Sequence, residues 1–428
     1  MIEATKYTLK NIADGREFED EGWMLADPQC KEASLVRAIY NKKQIEFKDS
    51  SYGFYKYADW LPIKKTLAHS SAPVTYKSTA LASKLGMSNL YITFSGWWPK
   101  VGASFKTCSF KETEAYSVCA RLGDSKERIL VVASAGNTAR AFAQVCSDNN
   151  IPIVIAIPYD NLSALWFEKP LNKCVKIICS PAGTDYFDAI RLGDKVCASK
   201  RFLAEGGAKN VARRDGMATT VLSAVEKIGR IPDAYFQAIG SGTGTIAAWE
   251  ANLRLIEDGR FGKHLMKLIP SQNDPFTPMY DSFKADSRKL ILPEDENTAR
   301  ELALKINAKV LSNRKPPYSL AGGLYDALKS SNGDMEKVTN EELAQACAEF
   351  LELEGIDIHP AAGVAVKSLE KALASGKISK DSVVMLNITG GGEQLFKKEH
   401  KCIQAQPDLV LSPDTAAEEV VNKVIALF

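Results

Sequence analysis

Tyr235-Phe-Gln-Ala-Ile239, followed by Gly240-Ser-Gly-Thr-Gly244-Thr245, is the stretch on which the fold turns. The first five residues read as a short buried strand. From Ile246 the pattern IAAWEANLRLIEDGR reads as a helix that ends near Gly259. Glycines at 240, 242 and 244 let the backbone turn tightly and aim several N–H groups at one anion. The following helix adds the positive end of its dipole. No Gly-Lys-Ser/Thr follows, so the loop lacks the lysine of a triphosphate site. The spacing is GxGxG rather than GxGxxG, and about twenty residues on only the surface acids Glu257 and Asp258 stand where a ribose-binding acid belongs. A single phosphate monoester suits Gly240, Ser241, Gly242, Thr243, Gly244 and Thr245; a ligand-free turn is the alternative.

Outward from this loop, short apolar strands alternate with helices. Strands are expected at Asn89–Phe94, Arg128–Ser134, Ile151–Pro158, Val175–Cys179, Ala234–Ile239, Lys267–Gln272 and Ser382–Ile388. Helices are expected near 109–122, 138–149, 245–259, 341–354 and 361–375. This alternation predicts parallel sheets covered on both faces, with ligands at the carboxyl ends of the strands. Residues 1–70 fit it badly and read as a separate extension.

The 428 residues carry 54 Lys and Arg against 52 Asp and Glu, without long runs of either sign, which argues against nucleic acid and anionic membrane surfaces as partners. No apolar run approaches the roughly eighteen residues of a membrane span, and the first thirty residues lack a signal-peptide core. Nine scattered cysteines, none in a CxxC pair, are expected to be reduced cytoplasmic thiols. Four well-separated histidines make metal or Ser-His-Asp chemistry a poor expectation.

Three further segments carry chemistry. In Cys108-Ser-Phe-Lys-Glu112, Ser109 and Glu112 are spaced as a capping box, which places Lys111 in a first helical turn. Partial positive charge there depresses a lysine pKa and suits a neutral amine that attacks an aldehyde; the alternative is a solvated helix-start lysine. Ser134-Ala-Gly-Asn137 follows a strand, and Asn137 is either a helix cap or a ligand donor. Asn387-Ile-Thr-Gly-Gly-Gly392 also follows a strand, where Thr389 either faces a cleft or caps the turn.

In this order the segments resemble the fold type II family of pyridoxal phosphate enzymes, which includes threonine synthases, cysteine synthases and serine/threonine dehydratases. The resemblance runs from about Ala72 to about Gly392 and includes Glu205-Gly-Gly-Ala-Lys-Asn210-Val-Ala-Arg213, similar to the substrate-phosphate segment of threonine synthases. Phe94-Ser-Gly-Trp-Trp-Pro, Lys106-Thr-Cys-Ser-Phe-Lys-Glu112 and Pro316-Pro-Tyr-Ser-Leu-Ala-Gly-Gly-Leu-Tyr-Asp-Ala-Leu328 are similar to the cysteate synthases of methanogenic archaea. Those enzymes convert O-phospho-L-serine and sulfite to L-cysteate and phosphate, a step toward coenzyme M. Departures from the wider family are Glu112-Thr113 for Asp-Arg, Ala139 for a glycine, and Gly391 for the histidine of threonine synthases.

The resemblance implies an α/β protein of two doubly wound open domains with pyridoxal 5′-phosphate in the cleft between them. Its domains would be an extension at 1–70, a larger cofactor-binding domain at 71–103 and 205–428, and a smaller one at 104–204. Lys111 would carry the cofactor and act as general base at Cα; Lys106, in the repeated Ser-Phe-Lys, is the alternative carrier. Glycines 240 to 244 with Ser241, Thr243 and Thr245 would hold its phosphate, Asn137 its 3′ oxygen, and Thr389 its pyridine nitrogen. Ser134, Ala135 and Gly136 would receive the substrate carboxylate, Asn210 and Arg213 its phosphate, and Lys106 with Lys100 would steer sulfite. A cytoplasmic homo-oligomer acting on phosphoserine and sulfite is the expectation. Threonine synthesis from O-phosphohomoserine, or a dinucleotide-dependent dehydrogenase using the Gly240 loop, are the rival readings.

Overall fold

The computed structural model describes residues 2–123, 128–293 and 295–428. Two open sheets organise it. The larger has six strands in the order Glu336–Val338, Lys267–Asn273, Ala234–Ala238, Val384–Ile388, Leu90–Phe94 and Val74–Lys77. All neighbours are parallel except the last pair. Its central strand Ala234–Ala238 is buried at every position, which is why the run YFQAI lacks alternation. The smaller sheet is parallel throughout, in the order Phe202–Ala204, Ile129–Ala133, Ile153–Pro158, Val175–Ser180 and Leu409–Val410.

The chain end departs from expectation. Leu409–Val410 pairs with Ile178 and Cys179, and helix Ala417–Ile425 buries Val420 and Val424 against the smaller sheet's outer core. Assigning everything after residue 205 to the larger unit is therefore corrected at this end. Its apolar residues need a partner face, and helix Tyr186–Val196 beside the smaller sheet supplies one.

Residues before 70 form an antiparallel sheet of Glu17–Phe18, Tyr7–Asn11 and Val36–Tyr40, followed by the 3₁₀ stretch Ser50–Trp60. Buried polar bonds tie it to the helices below. The Tyr40 hydroxyl donates to Asp215 at 2.5 Å, and Arg121 donates to Asp20 at 2.7 Å.

Helices Lys111–Leu122 and Val211–Ile228 pack against each other. Gly216 leaves no room for a Cβ against the Thr113 carbonyl, so the two backbones approach closely. That contact sets the first turns of both helices side by side. Among the described residues no helix is long and apolar enough to cross a membrane.

Candidate functional site

Parallel order puts the carboxyl ends of neighbouring strands on one edge of a sheet. Ala234–Ala238 and Val384–Ile388 are such neighbours, so Gly240 and Thr389 emerge on the same edge. Beneath them Asn387 donates to the Tyr235 hydroxyl at 3.1 Å and to Gln237 Oε1 at 3.0 Å. Gly244 sits over this polar ladder, where a Cβ would lie 2.6 Å from the Gln237 carboxamide. Gly240 passes close to the Val310 carbonyl, and Gly242, with φ of +77°, turns the chain into helix Thr243–Asp258. The Ser241 and Thr243 hydroxyls lie 2.8 Å apart, and the buried Thr245 hydroxyl has no hydrogen-bond partner among the described residues. On the smaller sheet, Gly136 borders the same Val310, so the asparagine loop and the glycine loop share a neighbour.

Lys111 opens helix Lys111–Leu122, but not through the expected capping box. Ser109 Oγ accepts from the Lys111 N–H at 3.1 Å, while the Glu112 carboxylate turns to the Thr107 N–H and hydroxyl, at 2.5 and 2.8 Å. A buried acid needs donors, and Thr107 offers two where Ser109 would offer one. The Phe110 N–H donates to the Thr389 carbonyl at 2.9 Å, and Ser109 bridges to Gly390. The lysine turn is thereby stitched to the threonine loop.

The Lys111 ammonium meets Glu114 at 2.5 Å, and the other Glu114 oxygen lies 3.1 Å from Arg213. Arg213 also forks onto Glu205, at 2.8 Å from Nε and 2.5 Å from Nη2. Burial pushes the Lys111 pKa down, opposed by Glu114 and assisted by Arg213, and the net direction is down. Arg213 is held charged: its burial is outweighed by Glu114 and Glu205.

Other expected residues fall elsewhere. Asn210 is a buried cap of helix Val211–Ile228. Its Oδ1 accepts from Ala212 and Arg121, and its Nδ2 donates to the Glu205 carbonyl at 2.7 Å. In this structure capping and Arg121 engage the Asn210 Oδ1, and Nδ2 gives one N–H to the Glu205 carbonyl. Asn137 is the first residue of helix Asn137–Asp148, not its cap, and its Oδ1 accepts from Arg140 at 3.0 Å. Ser134 Oγ accepts from the Gly136 N–H at 3.2 Å, and the Ala135 carbonyl accepts from Asn161 at 3.1 Å. Lys106, a third exposed, faces Asp148 at 3.4 Å, and Lys100 lies in an exposed turn.

Glu114, Arg140 and Glu393 are residues that sequence reasoning missed. Glu114 was signalled by its place one turn after Lys111, and Arg140 by the same offset from Asn137. Glu393, 3.2 Å from His359 and 3.8 Å from Arg140, has its carboxyl pushed down to about 2 by these partners despite partial burial.

These residues suit a phosphorylated pyridine aldehyde. A half-buried amine of lowered pKa, an unpartnered hydroxyl at a strand-to-helix turn, and an amide at a facing helix start match its three functional ends. A family model described as pyridoxal-phosphate dependent enzyme matches residues 98–390. The protein named cysteate synthase from Methanosarcina mazei is 45% identical over 95% of this chain and 97% of its own length. The one from Methanocella paludicola is 45% identical over 92% of each. Among solved structures, maize serine racemase has a TM-score of 0.57 at 16% identity, covering 76% of this chain and 91% of its own. A fungal L-serine ammonia-lyase from Rhizomucor miehei has a TM-score of 0.55 at 15% identity, covering 77% and 98%; both likenesses concern the fold. The chain belongs to the pyridoxal-phosphate dependent enzymes and, within them, to the cysteate synthase family.

Proposed function

We propose that this chain is a pyridoxal phosphate-dependent transferase that makes L-cysteate and phosphate from O-phospho-L-serine and sulfite. In the reaction the Cβ–O bond to phosphate breaks and a Cβ–S bond to sulfite forms. The observation that carries the reading is the pairing of the half-buried Lys111 with the buried Glu114 at a helix start stitched to the Thr389 loop. When bound, pyridoxal phosphate supplies an electron sink for charge developing at the substrate Cα.

The chain's own residues do the rest. Lys111 holds the cofactor and then moves a proton between its Nζ and the substrate Cα. The loop from Gly240 to Thr245 receives the cofactor phosphate at a helix N-terminus. Asn137 takes the 3′ oxygen. Thr389 offers the ring nitrogen a neutral hydroxyl, which favours elimination over a long-lived carbanion. Backbone groups of Ser134 to Gly136 take the substrate carboxylate. Arg213 is the candidate for the substrate phosphate: of its five N–H groups, two donate to Glu205, and Nη1 lies 3.1 Å from Glu114 without a hydrogen bond to it. A homo-oligomer in the cytoplasm completes the reading.

Product analysis is the test. Cysteate and phosphate formed from phosphoserine only when sulfite is present supports it. Threonine from O-phosphohomoserine, with no cysteate, overturns it.

A further inference from the structure

Arg140 is 3% exposed and sits where four segments meet. Its Nη1 donates to the Ala164 carbonyl at 2.9 Å, and its Nη2 to the Thr107 carbonyl at 2.9 Å and to Asn137 Oδ1 at 3.0 Å. The guanidinium lies 4.2 Å from the centre of the Trp166 ring, and Glu393 approaches to 3.8 Å. Burial lowers its pKa, with Glu393 opposing.

A guanidinium has donors only. The Asn137 atom that faces it must therefore be the carbonyl oxygen, which removes the usual ambiguity between the two ends of an amide. The other end, Nδ2, is a donor only, and Asn137 is partly exposed. Whatever seats against it must accept a hydrogen bond, and an anionic oxygen accepts best.

We propose that Arg140 is a positioning residue that fixes the Asn137 amide with its NH₂ toward the ligand, selecting an ionised oxygen there. Resting on the function proposed above, that oxygen is the 3′ oxygen of pyridoxal phosphate. The same nitrogen of Arg140 anchors Thr107, just before the helix of Lys111, so the lysine turn and the asparagine loop share one anchor.

The test reconstitutes wild type, Arg140→Met, Arg140→Lys and Asn137→Asp with pyridoxal 5′-phosphate. The ratio of visible to near-ultraviolet absorbance reports ionisation of the 3′ oxygen, and thermal unfolding is followed in parallel. Wild type should show the visible band. Arg140→Met should lower the ratio about tenfold, the effect of one hydrogen bond to a charged group. Arg140→Lys, which keeps a donor, should recover most of it. Asn137→Asp can still accept from Arg140 but cannot donate, so it should lower the ratio while unfolding stays near wild type. A wild-type ratio in Arg140→Met, or in Asn137→Asp should Arg140→Met not fold, overturns the proposal. A wild type that takes up no cofactor overturns the proposed function instead.

Discussion

Glu114 Oε1 lies 2.5 Å from Lys111 Nζ, one helical turn away, and the Glu114 side chain is wholly buried. This pair decides how much proton the lysine keeps. Burial alone favours the neutral amine, and Arg213 pushes the same way; Glu114 is the main group pulling toward the ammonium.

Replacing Glu114 by Gln should therefore lower the Lys111 pKa further. Only the neutral amine attacks an aldehyde. The pH profile of pyridoxal phosphate uptake by apo-protein should move to lower pH in the variant. A profile that stays in place, or moves up, contradicts the assigned pair.

Lys111→Ala should abolish both the visible band and turnover, whereas Lys106→Ala should keep the band. Lys106 faces Asp148 from a loop; Lys111 starts a helix beside the threonine loop. Borohydride reduction followed by peptide mapping checks this, and a pyridoxyl group on Lys106 would reverse the assignment.

Much of this was legible in the sequence because strand ends in a parallel sheet make local signals. The Gly240 loop, Ser134–Asn137 and Thr389 each follow an apolar run, and each emerges at a strand's carboxyl end. Contacts between helices left no such mark. The line from Lys111 through Glu114 to Arg213 depends on how two helices pack at Gly216. Asn210 shows the converse: its side chain is a cap, and the residue type alone suits either role. The destination of the chain's last stretch was equally hidden, because a two-residue edge strand carries almost no pattern.

Glu112 gives the protein a stability that depends on pH. Burial raises its carboxyl to about 7, although Thr107 donates two hydrogen bonds to it. The folded state then holds a proton that the unfolded chain releases near 4.5, so stability falls as pH rises between these values. Glu112→Gln keeps an acceptor for Thr107 without that loss. Urea unfolding should show the variant gaining on wild type by on the order of 3 kcal/mol from about pH 4 to about pH 8. A constant difference across that range would show that Glu112 titrates normally.

Asp20 anchors the extension. Arg121 is completely buried, and Asp20 is its only carboxylate partner among the described ion pairs. Asp20→Ala leaves that charge with the Asn210 and Met24 oxygens and the face of Trp23, and with no carboxylate among the described ion pairs. A loss of about 3 kcal/mol in urea unfolding is expected. A loss under about 0.5 kcal/mol, the range of an ordinary surface change, would mean that the extension is not held this way.

Arg213→Ala tests which phosphate the guanidinium serves. Its fork onto Glu205 engages Nε and one N–H of Nη2, and Nη1, 3.1 Å from Glu114 but not hydrogen-bonded to it, keeps donors for a ligand. A charge-assisted bond of this kind contributes about 1.5–3 kcal/mol, so the KM for phosphoserine should rise roughly 10- to 100-fold. Cofactor affinity should change far less, because the Gly240 loop belongs to a different helix start. The variant also leaves the buried Glu205 without its cation and Glu114 with Lys111 alone, and this raises the Lys111 pKa. Competitive inhibition by inorganic phosphate, measured at saturating cofactor, separates the two effects: a lost phosphate site weakens inhibition, and a perturbed lysine does not. If the variant loses cofactor while inorganic phosphate inhibits it as before, Arg213 serves the cofactor phosphate and the two phosphates have been exchanged.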